Sequence, residues 1–242
     1  MNTIFFKAVS AVVSMAGSRC YSKGTRFFMV LLATVLLASY AQAQFHPGVR
    51  VGLNGAAMSG DAVPVFWDNA ESSGRVGFNG GFVGELELNK NFAVQPGVLF
   101  AQQGYTVLLE NGDTKREADY LLNYIQVPVN ALAKLNIGQS SNIFFQIGPY
   151  VGYALNGKLK LAAYEDGKKT DEEKHSVAFG KGKNEDTMKR LDYGLGFGLG
   201  FQTGGVQIDL AINMGLQNLS NTADINLKNF GLALNVGYFI GK

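Results

Sequence analysis

The chain has 242 residues, of which 31 are glycine, 47% are hydrophobic and 17% are charged. This much glycine, with neither a collagen period nor a polar low-complexity tract, excludes a fibrous or linker-like chain and leaves one ordinary domain. The formal charge of +2 is too small and too localised to indicate nucleic-acid binding, as the N-terminus explains.

Lys23 and Arg26 precede the apolar run "FFMVLLATVLLASY", and Ala41-Gln42-Ala43 supplies a small-x-small cleavage pattern. The run is short for a spanning helix and lacks a positively charged stop-transfer flank, so residues 1–43 read as a signal peptide cleaved after Ala43. The leader is unusually long, and a translation start at Met15 is the alternative reading. Cleavage would remove Lys7, Arg19, Lys23 and Arg26 and no acid, taking the formal charge from +2 to −2. It would also remove Cys20, the one cysteine, so a disulfide framework is excluded and stability must come from a core or a membrane.

Residues 44–242 form the second expected unit, and here apolar residues recur at every second position, the period of a strand. In chain order the runs are "GVRVGLNGA", "RVGFNGGFVGELEL", "FAVQPGVLF", "YIQVPVNALAKL", "IFFQIGPYVGYAL", "LDYGLGFGLGF", "VQIDLAINMGL" and "FGLALNVGYFI". The sixth run sets Gly194, Gly196, Gly198 and Gly200 against Tyr193, Leu195, Phe197 and Leu199. It fits neither G-x-G-x-x-G nor a P-loop, and no helix pattern follows, so these glycines mark a bent or closely approached strand and not a phosphate cradle. Connections alternate between short ("NKN", "NIGQSSN", "QTGG") and long polar ones (57–74, 102–119, 156–190 and 217–228). That asymmetry predicts an all-β, eight-stranded, antiparallel up-and-down transmembrane barrel, with both termini on the short-turn side. Hydrocarbon tolerates no open sheet edge, so the sheet must close. Pro96, Pro128 and Pro149 fall inside three of the runs and are expected at bulges or strand ends.

The face opposite the apolar one carries Arg50, Asn54, Asn79, Glu85, Glu87, Gln95, Gln126, Asn130, Lys134, Gln146, Asp209, Asn213 and Asn235. An eight-stranded barrel is just wide enough for such side chains to fill. Arg50, Glu85, Glu87, Lys134 and Asp209 are therefore expected to form an internal charge network that neutralises a plugged interior.

Catalytic chemistry is poorly represented. His46 lies beside the expected mature N-terminus and His175 lies in the longest connection, and neither converges with a serine and a carboxylate. Glu165, Asp166, Asp171, Glu172, Glu173, Glu185 and Asp186 could bind a hard cation. Interleaved with Lys168, Lys169, Lys174, Lys181 and Lys183, they read as a solvated loop. The sequence assigns no catalytic, cofactor-binding or metal-ligating residue. Tyr105, Tyr120, Tyr124, Tyr193 and Tyr238 lie toward strand ends, where headgroups favour amphipathic rings.

Taken in order, "GVRVGLNGA", "GFVGELELNKNFAVQPGVLFAQQG", "YIQVPVNALAKL", "GPYVGYALNG", "DYGLGFGLGF" and "NFGLALNVGYFI" resemble the outer-membrane β-barrel domain family common in Bacteroidetes, the porin-family or PorT-type proteins. The resemblance implies an eight-stranded barrel in the outer membrane of a Gram-negative bacterium, with periplasmic termini and extracellular long loops. It is defined by scaffold more than by activity. Barrels of this kind commonly end in an aromatic residue, whereas this chain ends "YFIGK", which moves the equivalent position to Tyr238 or Phe239. The function expected is non-enzymatic: structural, surface-interacting or accessory to secretion. The alternatives are a narrow solute channel and a lipid-modifying barrel enzyme. The expected state is a monomer in contact with outer-membrane lipid, with secretion or envelope-assembly proteins as partners and no nucleic acid.

Overall fold

The computed structural model describes residues 44–59, 71–111, 114–138, 140–165, 168–180, 188–221 and 226–242. The expected signal peptide, its cleavage after Ala43, and Cys20 lie outside the described residues. Nine strands are described: β1 (Gln44–Ser59), β2 (Glu71–Glu87), β3 (Phe92–Asn111), β4 (Thr114–Asn136), β5 (Ser141–Glu165), β6 (Lys168–Ser176), β7 (Leu191–Thr203), β8 (Val206–Gly215) and β9 (Lys228–Phe239). Neighbours run β4-β3-β2-β1-β9-β8-β7-β5-β6, and β4 also pairs with β5, so eight strands close into a ring while β6 hangs on β5. Every strand pairing is antiparallel. The protein is an eight-stranded up-and-down β-barrel.

The barrel is inside out relative to a water-soluble protein. Phe82 and Val76 are each 74% exposed, whereas Glu85 is 0% exposed. Along β5, Ile143, Phe145, Ile147, Val151 and Tyr153 point out while Phe144, Gln146 and Tyr150 are buried. Such a belt is stable only against hydrocarbon, and the period-two pattern that produces it was readable from sequence.

The strands differ in length for a structural reason. β7, β8 and β9 have 13, 10 and 12 residues, close to the span a membrane requires, whereas β4 and β5 have 23 and 25. The excess of β3, β4 and β5, together with β6 and the first turns of β2, stands beyond the barrel as a projecting sheet. A line of irregularities marks the boundary. The β2–β3 register shifts between Gly74 and Asn79, the β4–β5 register shifts at Asn123/Tyr124, and Gly104 between them has φ of +152°, a conformation that L side chains rarely adopt. Bulges bend and twist strands, so this line is where the projecting strands depart from the regular barrel ladder.

This projection corrects the sequence reading of 102–119 and 156–190 as long loops. Residues 105–111 pair with 114–120 in one continuous ladder, Tyr105 opposite Tyr120, Val107 opposite Ala118 and Asn111 opposite Thr114. Charged residues on the outer face obscured the period. β6, "KKTDEEKHS", has no apolar residue at all and is exposed throughout. Its backbone pairing with β5 and the ion pairs of Glu172 with Lys160 and Lys174, at 3.7 and 2.9 Å, make it a strand where local propensity suggests a loop.

The prolines also differ from expectation. Pro96 is paired with Val129, Pro128 with Tyr150 and Pro149 with Leu195, all within strands and in unshifted register. Each borders a short gap in a ladder, between Pro96/Val129 and Leu99/Gln126 in one case and between Pro128/Tyr150 and Ala131/Ile147 in another. A missing N–H is accommodated by leaving out a bridge, without inserting a residue.

Candidate functional site

The interior is built in three layers, because inward positions alternate strictly with the outer belt. At the short-turn end Glu85 is fully buried between two cations, the ammonium groups of Lys134 and Lys242. The same two ammoniums lie 3.1 and 2.8 Å from Glu87. His46 stands 4.0 Å from Glu87, with its Nδ1 3.3 Å from the Ile240 carbonyl oxygen. Burial pulls the Lys242 ammonium below the usual lysine range, while its bonds to Glu85 and Glu87 oppose that shift.

Above this cluster Gln95 acts as the link. Its amide nitrogen donates to Gln207 at 3.0 Å and to Glu85 at 3.4 Å, while its oxygen accepts from Arg50. Arg50 lies 3.4 Å from Asp209, which accepts from Gln146 at 3.1 Å and from Asn235 at 2.8 Å. The five charged residues singled out in the sequence thus occupy two groups, Glu85–Glu87–Lys134 and Arg50–Asp209, joined through one glutamine. Lys242, Gln202 and Gln207 belong to the same network and were missed. Gln202 and Gln207 continue the inward parity of β7 and β8 and could have been found by it. Lys242 lies beyond the last strand, where no periodicity reaches.

The middle layer is a chamber of about 60 Å³ of mixed lining, in which the amides of Asn54, Asn79, Gln126, Asn130, Asn213, Asn229 and Asn235 stand among apolar residues such as Leu99, Pro128 and Phe197. That volume holds only a few water molecules. At its upper edge the buried Asp192 accepts from Asn229 at 2.9 Å and from the Tyr150 hydroxyl at 3.3 Å. Unlike Glu85 and Asp209, it has no cationic partner among the described residues. Burying a carboxylate without a counter-charge is costly. Asp192→Asn is therefore expected to leave the urea unfolding midpoint in detergent unchanged or raised, whereas Asp209→Asn, which strips Arg50 of its partner, lowers it.

The long-loop mouth is closed by an apolar cap. Met58, Tyr105, Val107, Ala118, Leu122, Tyr124, Ala154, Met188, Leu219 and Leu227 form one buried cluster, with Val177 and Phe179 packed against it. The connecting segments are folded into the mouth and pinned there by backbone bonds. Val177 donates to Gly157 at 3.0 Å, Ala154 to Arg190 at 2.8 Å, Lys189 to Leu219 at 2.8 Å and Leu219 to Leu227 at 2.7 Å. In the projecting sheet the Tyr105 and Tyr120 rings stack at 4.6 Å, and burial pushes both phenols up.

His175 lies on β6, is largely exposed and contacts Glu173 at 3.0 Å. Glu172 is held by lysines and Glu165 ends β5, so the acids expected to lie in a loop are on strands where described. Asp166, Lys181, Lys183, Glu185 and Asp186 lie outside the described residues. Among the described residues no group of three or more His, Cys, Asp or Glu side chains converges on a common point.

Apolar belt, closed ring and filled polar interior together define a transmembrane β-barrel. Residues 40–221 match the family described as the outer membrane protein beta-barrel domain, and the chain belongs to that family of outer-membrane proteins. No curated protein matches the sequence. Among solved structures it is similar to Ail, the attachment invasion locus protein of Yersinia pestis (16% identity, 81% of this chain and 99% of that one, TM-score 0.37). It is also similar to Neisserial surface protein A (12% identity, 79% and 96%, TM-score 0.40) and to OprG from Pseudomonas aeruginosa (11% identity, 83% and 98%, TM-score 0.32).

Proposed function

We propose that this protein is a closed, non-enzymatic outer-membrane barrel that anchors a projecting sheet at the cell surface and acts by surface interaction. The observation that carries this reading is the double closure of the lumen. Ion-paired side chains fill the short-turn end and the apolar cluster around Leu122, Leu219 and Leu227 fills the other. Among the described residues both ends of the lumen are filled by side chains, which weighs against the narrow-channel alternative. Short turns at one end and long excursions at the other support periplasmic termini and an extracellular projecting sheet. The resemblance to PorT-type proteins of Bacteroidetes adds a secretion-accessory role, in which the projecting sheet or the rims contact an envelope-assembly partner.

Reconstituted in planar bilayers, the purified barrel is expected to give no unitary conductance steps. Steady channels that persist in preparations free of other porins would overturn the closed-barrel reading. Orientation is tested with His175→Cys, since Cys20 lies in the segment expected to be cleaved. A membrane-impermeant maleimide should label intact cells, and labelling only after permeabilisation would reverse the assignment. Capture from crosslinked cells of one secretion or assembly complex in near-stoichiometric amount would establish the accessory role; capture of lipid alone would leave a freestanding surface barrel.

A further inference from the structure

The charges around the long-loop rim are unevenly distributed. On the β2–β4 side and in the projecting hairpins most cations are neutralised: Arg75 pairs with Asp119, Lys115 lies 3.0 Å from Glu110, and Lys160 and Lys174 share Glu172, while Arg116 and Lys168 have no ion pair among the described residues. Across β5, β7 and β9 the pattern changes. Lys158, Lys189, Arg190 and Lys228 follow the rim there, and none forms an ion pair among the described residues. The one described carboxylate within 153–159, 188–193, 216–221 and 226–230 is Asp192, and it is buried inside the barrel.

These cations stand at the edge of the hydrocarbon belt. Arg190 lies 6.0 Å from the centre of the outward-facing Tyr153 ring and 5.3 Å from that of Phe179, and one guanidinium nitrogen donates to the Ala154 carbonyl at 3.1 Å. That anchoring leaves donors of the planar fork uncommitted. The Lys189 ammonium uses one donor on the Asn218 carbonyl at 2.9 Å. Lys228 precedes the outward-facing Phe230 by two residues, opposite Ser59, and Lys158 follows the outward-facing Leu155 by three. The backbone bonds 154–190, 189–219 and 219–227 tie the four segments side by side.

We propose that this sector is a binding site for the phosphorylated headgroup of a lipid in the adjoining leaflet. Its acyl chains would lie on the belt formed by Tyr153, Tyr193 and Leu195, while its phosphates meet the guanidinium of Arg190 and the ammoniums of the same sector. A soluble phosphate would gain the charges without the belt. A neutral lipid would gain the belt and leave the charges unmatched. Clustered cations beside a membrane-facing surface are the arrangement that selects anionic lipid.

The test uses the full barrel in zwitterionic detergent, titrated with bisphosphorylated lipid A, with the same lipid stripped of phosphate and with inorganic phosphate, bound lipid being counted by native mass spectrometry. The phosphorylated lipid should be retained about tenfold or more over the stripped one, with retention falling about fivefold for each of Arg190→Gln and Lys189→Gln. Arg190→Lys should keep most of the retention, and Lys168→Gln, at the distant tip of β6, should leave it unchanged. If the Arg190 variants fail the heat-modifiable gel shift of a folded barrel, Lys158→Gln and Lys228→Gln carry the same test from exposed positions. Equal retention of both lipids, insensitivity to these substitutions, or competition by equimolar inorganic phosphate would each overturn the proposal. The readout is independent of closure: a conducting barrel would refute the closed-lumen function and leave lipid retention untouched.

Discussion

Glu85→Gln is expected to destabilise the barrel by about 3 kcal/mol, whereas Glu87→Gln, two residues along the same strand, costs about 1 kcal/mol or less. The two carboxylates share the same cations, Lys134 and Lys242. They differ in solvent access: the Glu85 side chain is 0% exposed and that of Glu87 is 29% exposed. Water can replace much of what Glu87 supplies. Neutralising Glu85 instead leaves Lys134, itself 3% exposed, to share a single half-solvated acid with Lys242, and it weakens the acceptor used by Gln95 and Gln202. Equilibrium urea unfolding in phospholipid vesicles gives both values. Adding Lys134→Met to Glu85→Gln should recover part of the loss, because removing both members of a buried pair costs less than removing one. Equal effects at positions 85 and 87 would show that burial does not set the strength of this network.

The membrane-spanning part of the fold was legible because a single rule produces it. Alternation at period two, read along eight runs, separates lipid from lumen, and the inward residues Arg50, Gln95, Lys134, Gln146 and Asp209 follow from parity alone. The rule fails where both faces meet water. In the Lys168–Ser176 strand no alternation exists to be read, and the chain is extended only because β5 offers it a backbone partner. The two-group arrangement of the interior charges was equally out of reach. Arg50 and Glu85 are inward on neighbouring strands, but Arg50 pairs in register with Gly81, four residues from Glu85, so the short glutamine bridge through Gln95 decides how they communicate. The cap over the mouth, with Phe179, Met188, Leu219 and Leu227 drawn from connections between strands, has no periodic signature either.

Glycine supplies the second large effect. β7 receives on its inward face the Phe144 ring, the Gln146 amide and the Tyr150 ring from β5. A side chain at Gly200, Gly198 or Gly194 would meet each of these in turn. The alternation of glycine with Leu195, Phe197 and Leu199 is thus a steric pattern: empty positions on one wall accept large side chains from the next. Part of each contact is with a side chain that can move, although an added carbon would also crowd the Met214 carbonyl oxygen at Gly194 and sit 2.7 Å from that of Ile208 at Gly200. At Gly148 the obstacle is backbone, since an added methyl carbon would sit 2.7 Å from the Asn130 Cα and closer still to the Val129 carbonyl oxygen. This is the stretch where the β4–β5 ladder skips its bridges beside Pro149. Gly148→Val is therefore expected to cost about 3 kcal/mol, the upper end for overpacking, and to reduce the fraction that migrates as folded barrel on an unheated gel. Gly231→Ala is the informative contrast. The nearest atom to its added carbon is the Gly55 carbonyl oxygen at 3.9 Å, so the methyl group meets ordinary contact while the unfolded chain loses freedom. Its expected effect is a stabilisation of about 0.5 kcal/mol, opposite in sign to that at Gly148. Loss of stability at both positions alike would mean that strand glycines here are required for backbone conformation and not for the space they leave.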